Sequence, residues 1–327
     1  MIDKKPKAVV IGGGNGLSVL LASLKLYTSN ITAIVSVGDD GGGSGTIRQD
    51  MGILPPGDIR NCITALANDE GEMRQLIEYR FESGMLEGQS FGNLLIAAMY
   101  YIKGNFAEAI RAVGDVLKIS GRVVPVTLAD MRLTAELENG EKVIGESHIP
   151  VVADAMASPI ARVFIEPENA QAFHHAITAI KEADFIIIGP GSLYTSVIPN
   201  LLIKDLNKAL AKTTAKKFYC CNIMTQRGES DHFTAADHLE AIMSHVNRPH
   251  KIFDYILYNT NLNVSKQIMQ RYQSEGAEIV PPGNIGDYAK AFRLIGKPFL
   301  TVKEQKIVHD TQSIFKAVYN VLDEEAR

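Results

Sequence analysis

Two short runs near the start of the chain constrain the fold more than any other feature: "AVVIG" over 8–12 and "ITAIVSVG" over 31–38. Both are rich in apolar, β-branched residues with little alternation, the pattern of strands buried on both faces of a sheet. Between them Leu17, Leu20, Leu21 and Leu24 recur at helical spacing after a glycine turn. Strand, helix and strand make a βαβ unit, right-handed as such crossovers are. A chain that begins this way builds a parallel sheet with helices packed on it.

The rest of the sequence continues the theme with one long interruption. Helices are expected over 57–69, 72–83, 90–104 and 105–120, the last opened by Asn105 with Glu108 three residues on and stopped by Gly121. Strands then return: "RVVPVT", two strands around Asn139-Gly140 (a hairpin signal), and "IARVFIEP". After a helix over 169–183, "DFIIIGPGS", "AKKFYCCNIM" and "FDYILYNT" read as strands separated by helices over 192–213, broken near Pro199, and 234–246. A helix over 265–276 follows, and the end reads as helical. The predicted architecture is a single α/β domain over 1–327, Rossmann-like and doubly wound, mainly parallel. A helical and β-hairpin subdomain is inserted over roughly 58–150.

Composition narrows the functional classes. With 327 residues, 46% hydrophobic and 21% charged, the chain has the profile of a globular protein with a large core. A net charge of -4 argues against a dedicated nucleic-acid binder. Cys62, Cys220 and Cys221 offer neither CxxC spacing nor a disulfide framework, so a reducing, cytoplasmic location is expected. The apolar run behind the basic start is too short for a signal peptide, and "LLIAAMYYI" is too short to span a membrane.

In an open parallel sheet, ligands bind beyond the carboxyl ends of the strands. Loops 12–16, 38–45, 189–196 and 222–231 all fall there. The first does not fit GxGxxG, because Leu17 stands where the last glycine belongs, which argues against a dinucleotide fingerprint. Gly13, Gly14, Asn15 and Gly16 instead suit a phosphate held by N–H groups at a helix start, or a tight packing turn. The second loop, "GDDGGGSG", lacks the lysine of a Walker A motif. Gly41, Gly42 and Ser44 can form an anion-binding concavity, but Asp39 and Asp40 would repel an anion there. A divalent cation such as Mg2+ between carboxylate and phosphate resolves that conflict; capping of the loop by the two aspartates is the plain alternative. Arg48 and Arg60 lie just downstream as bidentate donors. In the third loop Gly191 permits close backbone approach, and Ser192 and Thr195 supply hydroxyls. Asn93, Asn222, Thr225, Gln226 and Arg227 are candidate polar contacts, and Tyr258 with Asn259 ends a late strand where an aromatic face can stack on a base or sugar. The histidines carry no HExxH frame and no GxSxG elbow is present, so structural roles are expected for His174, His175, His238 and His245.

Six segments in order, "GGGNGLSVLLASLK", "VGDDGGGSGTIRQD", "PPGDIRNCITALA", "SFGNLLIAAM", "GPGSLYTSVIPNLL" and "NIMTQRGESDHFTAADHLEAI", closely resemble the YvcK-like gluconeogenesis factors, a bacterial branch of the CofD-like family. Asn15 stands where Thr is common and Gly43 in a loop that often reads DDGGSSG. The resemblance implies a Rossmann-like fold, a cytoplasmic location, binding of UDP-activated sugars and a role in cell shape and wall synthesis on gluconeogenic carbon. Cell-wall or morphogenesis proteins and a second copy of the chain are the partners it suggests. The CofD branch itself transfers a phospholactyl group from a guanylylated donor to a deazaflavin alcohol with a divalent metal, and its acidic pair corresponds to Asp39 and Asp40. Sensor of a nucleotide sugar and metal-dependent transferase therefore stand side by side as expectations.

Overall fold

The computed structural model describes residues 5–68 and 71–325. The chain runs β1 (Ala8–Gly12), α1 (Gly14–Leu24), β2 (Ile31–Val35), α2 (Gly42–Met51), α3 (Gly57–Leu66), α4 (Glu72–Glu78), α5 (Phe91–Lys103), α6 (Phe106–Val116) and β3 (Arg122–Pro125). There follow β4 (Arg132–Leu137), β5 (Lys142–Ile144), α7 (His148–Ala155), β6 (Ile160–Glu166), α8 (His174–Glu182) and β7 (Phe185–Ile188). The last third is α9 (Ile198–Leu202), α10 (Lys204–Lys212), β8 (Lys216–Cys220), α11 (Ala235–His245), β9 (Tyr255–Asn259), α12 (Lys266–Ser274), β10 (Arg293–Lys297), β11 (Leu300–Lys303), β12 (Lys306–His309) and α13 (Thr311–Glu325).

Seven strands form the main sheet in the order β10-β9-β8-β7-β1-β2-β3, every neighbouring pair parallel. Chain direction across the sheet reverses between β1 and β7, whose registers pair Ala8 with Phe185 and Ile11 with Ile188. That is the switch point at which doubly wound sheets open a crevice. The strands on either side are fully buried, as their unbroken apolar sequences require. Leu17, Leu20, Leu21 and Leu24 of α1 are each at most 1% exposed. Burying each such side chain stabilises the fold by about 1.5–3 kcal/mol, which is what holds the helix start against the switch point.

Between β2 and β3 the chain makes helices α2 to α6, and after β3 a separate antiparallel sheet of order β5-β4-β6. β3 thus divides the 58–150 stretch, because its "VVP" is buried beside β2 as the edge of the main sheet. The hairpin turns at Asn139-Gly140, with Gly140 at φ 86°. Asn105 caps α6, its side chain accepting the N–H groups of Ala107 and Glu108. The expected end of the first insertion helix reaches Asp69, which lies outside the described residues.

Several segments differ from expectation, among them 42–51 and 148–155, where α2 and α7 stand and no helix was expected. Pro199 does not break its helix; it sits in the first turn of α9, where a missing N–H is harmless, and the chain bends at Ile203 instead. The stretch before α13 is not helical but forms β10 and the β11–β12 hairpin. β10 is an edge strand with little burial, so it lacks an apolar run. The hairpin turns at Glu304 and Gln305, both at positive φ (47° and 60°), without the glycine or asparagine that marks such turns in sequence.

Candidate functional site in the switch-point crevice

Loops from β1, β2, β7 and β8 meet at the carboxyl ends of the strands, and glycines let them touch. A Cβ on Gly16 would lie 3.0 Å from the Pro190 carbonyl oxygen, and one on Gly191 3.0 Å from that of Gly13. Asn222 ties the β7 and β8 loops by accepting the Gly191 N–H at 3.3 Å and donating to its carbonyl at 2.9 Å. Ser192 donates to Gln226 at 2.8 Å across the same seam. Gly13, Gly14, Gly16, Gly191, Ser192, Thr195 and Asn222 are therefore brought together. Gly14, at φ 67°, starts α1 on the crevice side, and Asn15 beside it is exposed.

The acidic loop enters from β2. Asp39 accepts the Gly41 N–H at 2.9 Å and the Ser44 hydroxyl, with Gly57 packed so closely that a Cβ there would meet Ser44 Oγ at 2.3 Å. Asp40 faces the inserted hairpin: its Oδ1 accepts the Ser147 N–H at 2.9 Å and its Oδ2 the Glu146 N–H at 3.1 Å. Gly41 packs on Ser147, and Gly42 is open at φ 48°. Arg48 is fully engaged. It donates to Asp130 from Nε at 2.9 Å and Nη2 at 2.5 Å, to Met131 O at 2.8 Å, and from Nη1 to the carbonyls of Asp39 and Gly38. It is a clamp that fixes the acidic loop on the β3–β4 loop. Replacing Arg48 by Met is expected to cost about 1–3 kcal/mol of stability, since charge-assisted hydrogen bonds to two loops are lost, and a denaturant titration reads it directly.

Three further carboxyl groups complete the crevice, none singled out from sequence. Asp58, in the first turn of α3, accepts the Gly14 N–H and lies against Gly13, where a Cβ would approach its Oδ2 to 2.6 Å. Glu229 is 4% exposed and accepts the N–H groups of Tyr194 and Thr195 at 2.8 and 2.9 Å. Glu146 reaches in from the β5–α7 turn, and the Thr195 hydroxyl stands within hydrogen-bonding reach of both Glu146 and Glu229. One signal was available. Gly145-Glu146-Ser147 and Gly228-Glu229-Ser230 are the same tripeptide, each placing its glutamate after a glycine at positive φ (105° and 72°).

Burial with like-charged neighbours raises these groups. Burial pushes Asp39 above the ordinary carboxylate range despite its bonds to Gly41 and Ser44. Asp58 is pushed to about 6 by burial, with the charge of Asp39 adding to it. Glu146 rises to about 8 through burial and then Asp39, Asp58 and Glu229; Glu229 rises to about 7 through burial, offset by its backbone donors. A carboxyl whose folded pKa exceeds its unfolded value contributes stability that is fully present below the unfolded pKa and lost as pH rises through the folded one. The melting temperature is therefore expected to fall by several degrees between about pH 5 and pH 9, and Glu146→Gln to flatten that decline. A rising profile over the same range contradicts the clustering.

Does this set suit a divalent cation? Among the described residues no three His, Cys, Asp or Glu side chains converge on one metal point. Mg2+, however, needs only one or two carboxylates and takes water and ligand phosphate for the rest of its shell. Asp39 and Asp58 are the neighbouring acids that would hold it: Asp58 feels the charge of Asp39, and each carboxylate has lone pairs beyond its bonds to Gly41 and Ser44 or to Gly14, while the two oxygens of Asp40 anchor the β5–α7 turn.

The remaining candidates lie off the crevice floor. Arg227 pairs with Asp154 of α7 at 2.7 Å, its side chain 58% exposed. Tyr258 packs over Gly296 of β10, and Asn259 binds its own turn through Asn261. Asn93 is buried in the first turn of α5, its Oδ1 without a partner among the described residues. His238 and His245 are buried and bonded to the backbone of their own helix and, for His245, to the Val163 N–H. A cleft of about 960 Å3 opens along the Gly45, Arg48 and Gln49 flank of α2, with Asp40 in its wall and Asp130, Ile144 and His148 opposite.

A doubly wound α/β protein with a glycine-walled crevice at its switch point is the class that this fold and site define. The comparisons agree with it. The model of the family described as 2-phospho-L-lactate transferase CofD matches residues 8–299. The gluconeogenesis factor of Bacillus subtilis (strain 168) is 42% identical over 324 residues, covering 99% of this chain and all of that one. The gluconeogenesis factor of Listeria monocytogenes is 41% identical over 98% of this chain and 97% of its own. A crystal structure of a UPF0052 family member from Bacillus halodurans superposes with a TM-score of 0.91 at 42% identity, covering 97% of this chain and 99% of that one. The chain belongs to the CofD family. Among the described residues no helix is long and apolar enough to cross a membrane.

Proposed function

We propose that the crevice binds the diphosphate of a nucleotide sugar of the UDP type. The protein acts in this reading as a gluconeogenesis factor that senses such a ligand in the cytoplasm and regulates cell shape through wall-synthesis partners. One observation carries the reading. The starts of α1 at Gly14 and of α2 at Gly42 lie beside Asp58 and Asp39, and helix N–H groups next to two acids are the combination that supports a diphosphate held with a cation. Mg2+ on that pair would supply the positive charge that bridges carboxylate and phosphate. The chain's own part is to hold it: Ser44 and Gly41 orient Asp39, and Gly14 orients Asp58. The adjoining cleft of about 960 Å3 is roomy enough for the sugar. Ligand-induced stabilisation with a panel of UDP-sugars, GDP and NAD tests this. The expected result is a Mg2+-dependent rise with UDP-sugars, near 2.7 kcal/mol at ~100 times the dissociation constant, and none with NAD.

A second reading, a metal-dependent transferase acting on a nucleotide-activated donor, is favoured by Glu146. A carboxyl pushed to about 8 beside Thr195 keeps a proton at neutral pH and can donate it to a leaving oxygen. Release of UMP from UDP-sugar in Mg2+, as transfer of the phospho-group to an acceptor in cell extract requires, lost in Glu146→Gln, selects this reading over the sensor.

A further inference from the structure

Away from the crevice, a cavity of about 340 Å3 opens between α6, the edge strand β3 and the segment entering α8. Its floor is apolar: Ile110, Val123, Val124 and Phe173 are all under 9% exposed, and half-buried Ala107 and Ile119 form the sides. The floor is held by the backbone. Phe173 N–H donates to the Val126 carbonyl at 2.8 Å, and Thr127 Oγ1 donates to the Gln171 carbonyl at 2.6 Å, so the α8 entry is stitched to the end of β3.

The rim is charged, and its charges are unevenly matched. Arg111 is neutralised by Glu108 at 2.6 Å and Asp115 at 3.5 Å. Lys118 and Arg122 line the same mouth and are exposed. Among the described residues neither has a carboxylate within ion-pair distance; Arg122 reaches only Thr32 Oγ1 at 2.8 Å, and Glu182 feels its charge from farther off. The pKa of His175, on the same rim, is lowered by partial burial and then by its neighbours His174 and Arg122. The mouth therefore carries a net positive charge over an apolar pocket.

We propose that this cavity is a second ligand site, for a small amphipathic monoanion. An apolar body of about a dozen heavy atoms would lie on Ile110, Val123 and Phe173. Its carboxylate would lie at the mouth between Lys118 and Arg122. The volume and lining fit that class: pockets for small molecules are apolar with a few placed polar groups, and start near this size. A neutral ligand leaves two cations without a partner, and a dianion or phosphate has no hydrophobic need for the floor. Because β3 pairs directly with β2, which leads into Asp39, occupancy would load the strand beside the acidic loop.

The test uses the full chain with isoleucine and valine methyls labelled for NMR, titrated with 4-phenylbutyrate and, separately, with 4-phenylbutanol. The expected result is saturable shifts of the Ile110, Ile119, Val123 and Val124 methyls, with the acid binding at least ~10-fold more tightly than the alcohol. The double variant K118Q/R122Q, at exposed positions, is expected to abolish that preference. Ala107→Phe, which fills the pocket, is expected to abolish the shifts, with the folded spectrum checked by the methyls of β1. Shifts scattered over the surface, no saturable shifts, or equal affinity for acid and alcohol would each overturn the proposal. UDP-sugar affinity measured on the same variants reports on the crevice separately.

Discussion

Glu229→Ala is expected to lower the unfolding free energy by roughly 2–5 kcal/mol, the largest single loss of stability the crevice allows. The reason is local. Glu229 is buried, and its Oε1 is the acceptor for two consecutive N–H groups, those of Tyr194 and Thr195. Truncation strands both donors in a dry environment, each costing about 1–3 kcal/mol. It also leaves a hole beneath the turn that carries Thr195. Glu229→Gln keeps an acceptor oxygen in place and removes a charge crowded against Glu146. It should cost much less, and least at high pH, where the charge would otherwise be present. Urea melts of wild type and the two variants at about pH 6 and pH 8.5 read all of this. If Ala and Gln cost the same at both values, the hydrogen-bonded role assigned to the carboxyl is wrong.

The second large effect concerns binding. Asp39→Asn preserves shape and the Gly41 contact but withdraws the charge that a bridging cation needs. UDP-sugar affinity in Mg2+ is expected to drop ~10–100-fold, or about 1.4–2.8 kcal/mol, to the value wild type shows in EDTA. Asp58→Asn is expected to behave alike. Asp40→Asn is expected to act differently, because Asp40 grips the N–H groups of Glu146 and Ser147. Its amide can accept only one of them, so the β5–α7 turn loosens and stability falls while metal dependence survives. Loss of metal dependence in Asp40→Asn alone would assign the cation to Asp40 instead.

Most of the fold was legible because burial writes itself into sequence. β1, β2 and β7 are buried on both faces and read as continuous apolar runs; α1 repeats leucine at helical spacing. β10 was not legible, since an edge strand needs no such run, nor was the β11–β12 turn, whose left-handed residues are Glu304 and Gln305. The site divides in the same way. Its glycine loops announce themselves, because close backbone approach leaves glycine as the only fit at a position such as Gly45, where a Cβ would meet the Asp40 carbonyl oxygen at 2.0 Å. Its deep carboxyls do not. Glu146 is far from Asp39 along the chain and comes near it because Asp40 holds the β5–α7 turn onto the β2 loop. Conversely, Arg48 reads in sequence as a free phosphate grip, while the fold commits its guanidinium to Asp130 and three carbonyls.

The central claim is that a cation held by Asp39 and Asp58 joins a nucleotide-sugar diphosphate to the switch-point crevice. Calorimetric titration of a UDP-sugar into the wild-type protein, once in Mg2+ and once in EDTA, tests it most directly. The account predicts single-site binding in Mg2+ that weakens at least ~10-fold in EDTA. Equal affinity in the two buffers would contradict it, and would leave the buried carboxyls as groups that hold the loops together rather than the ligand.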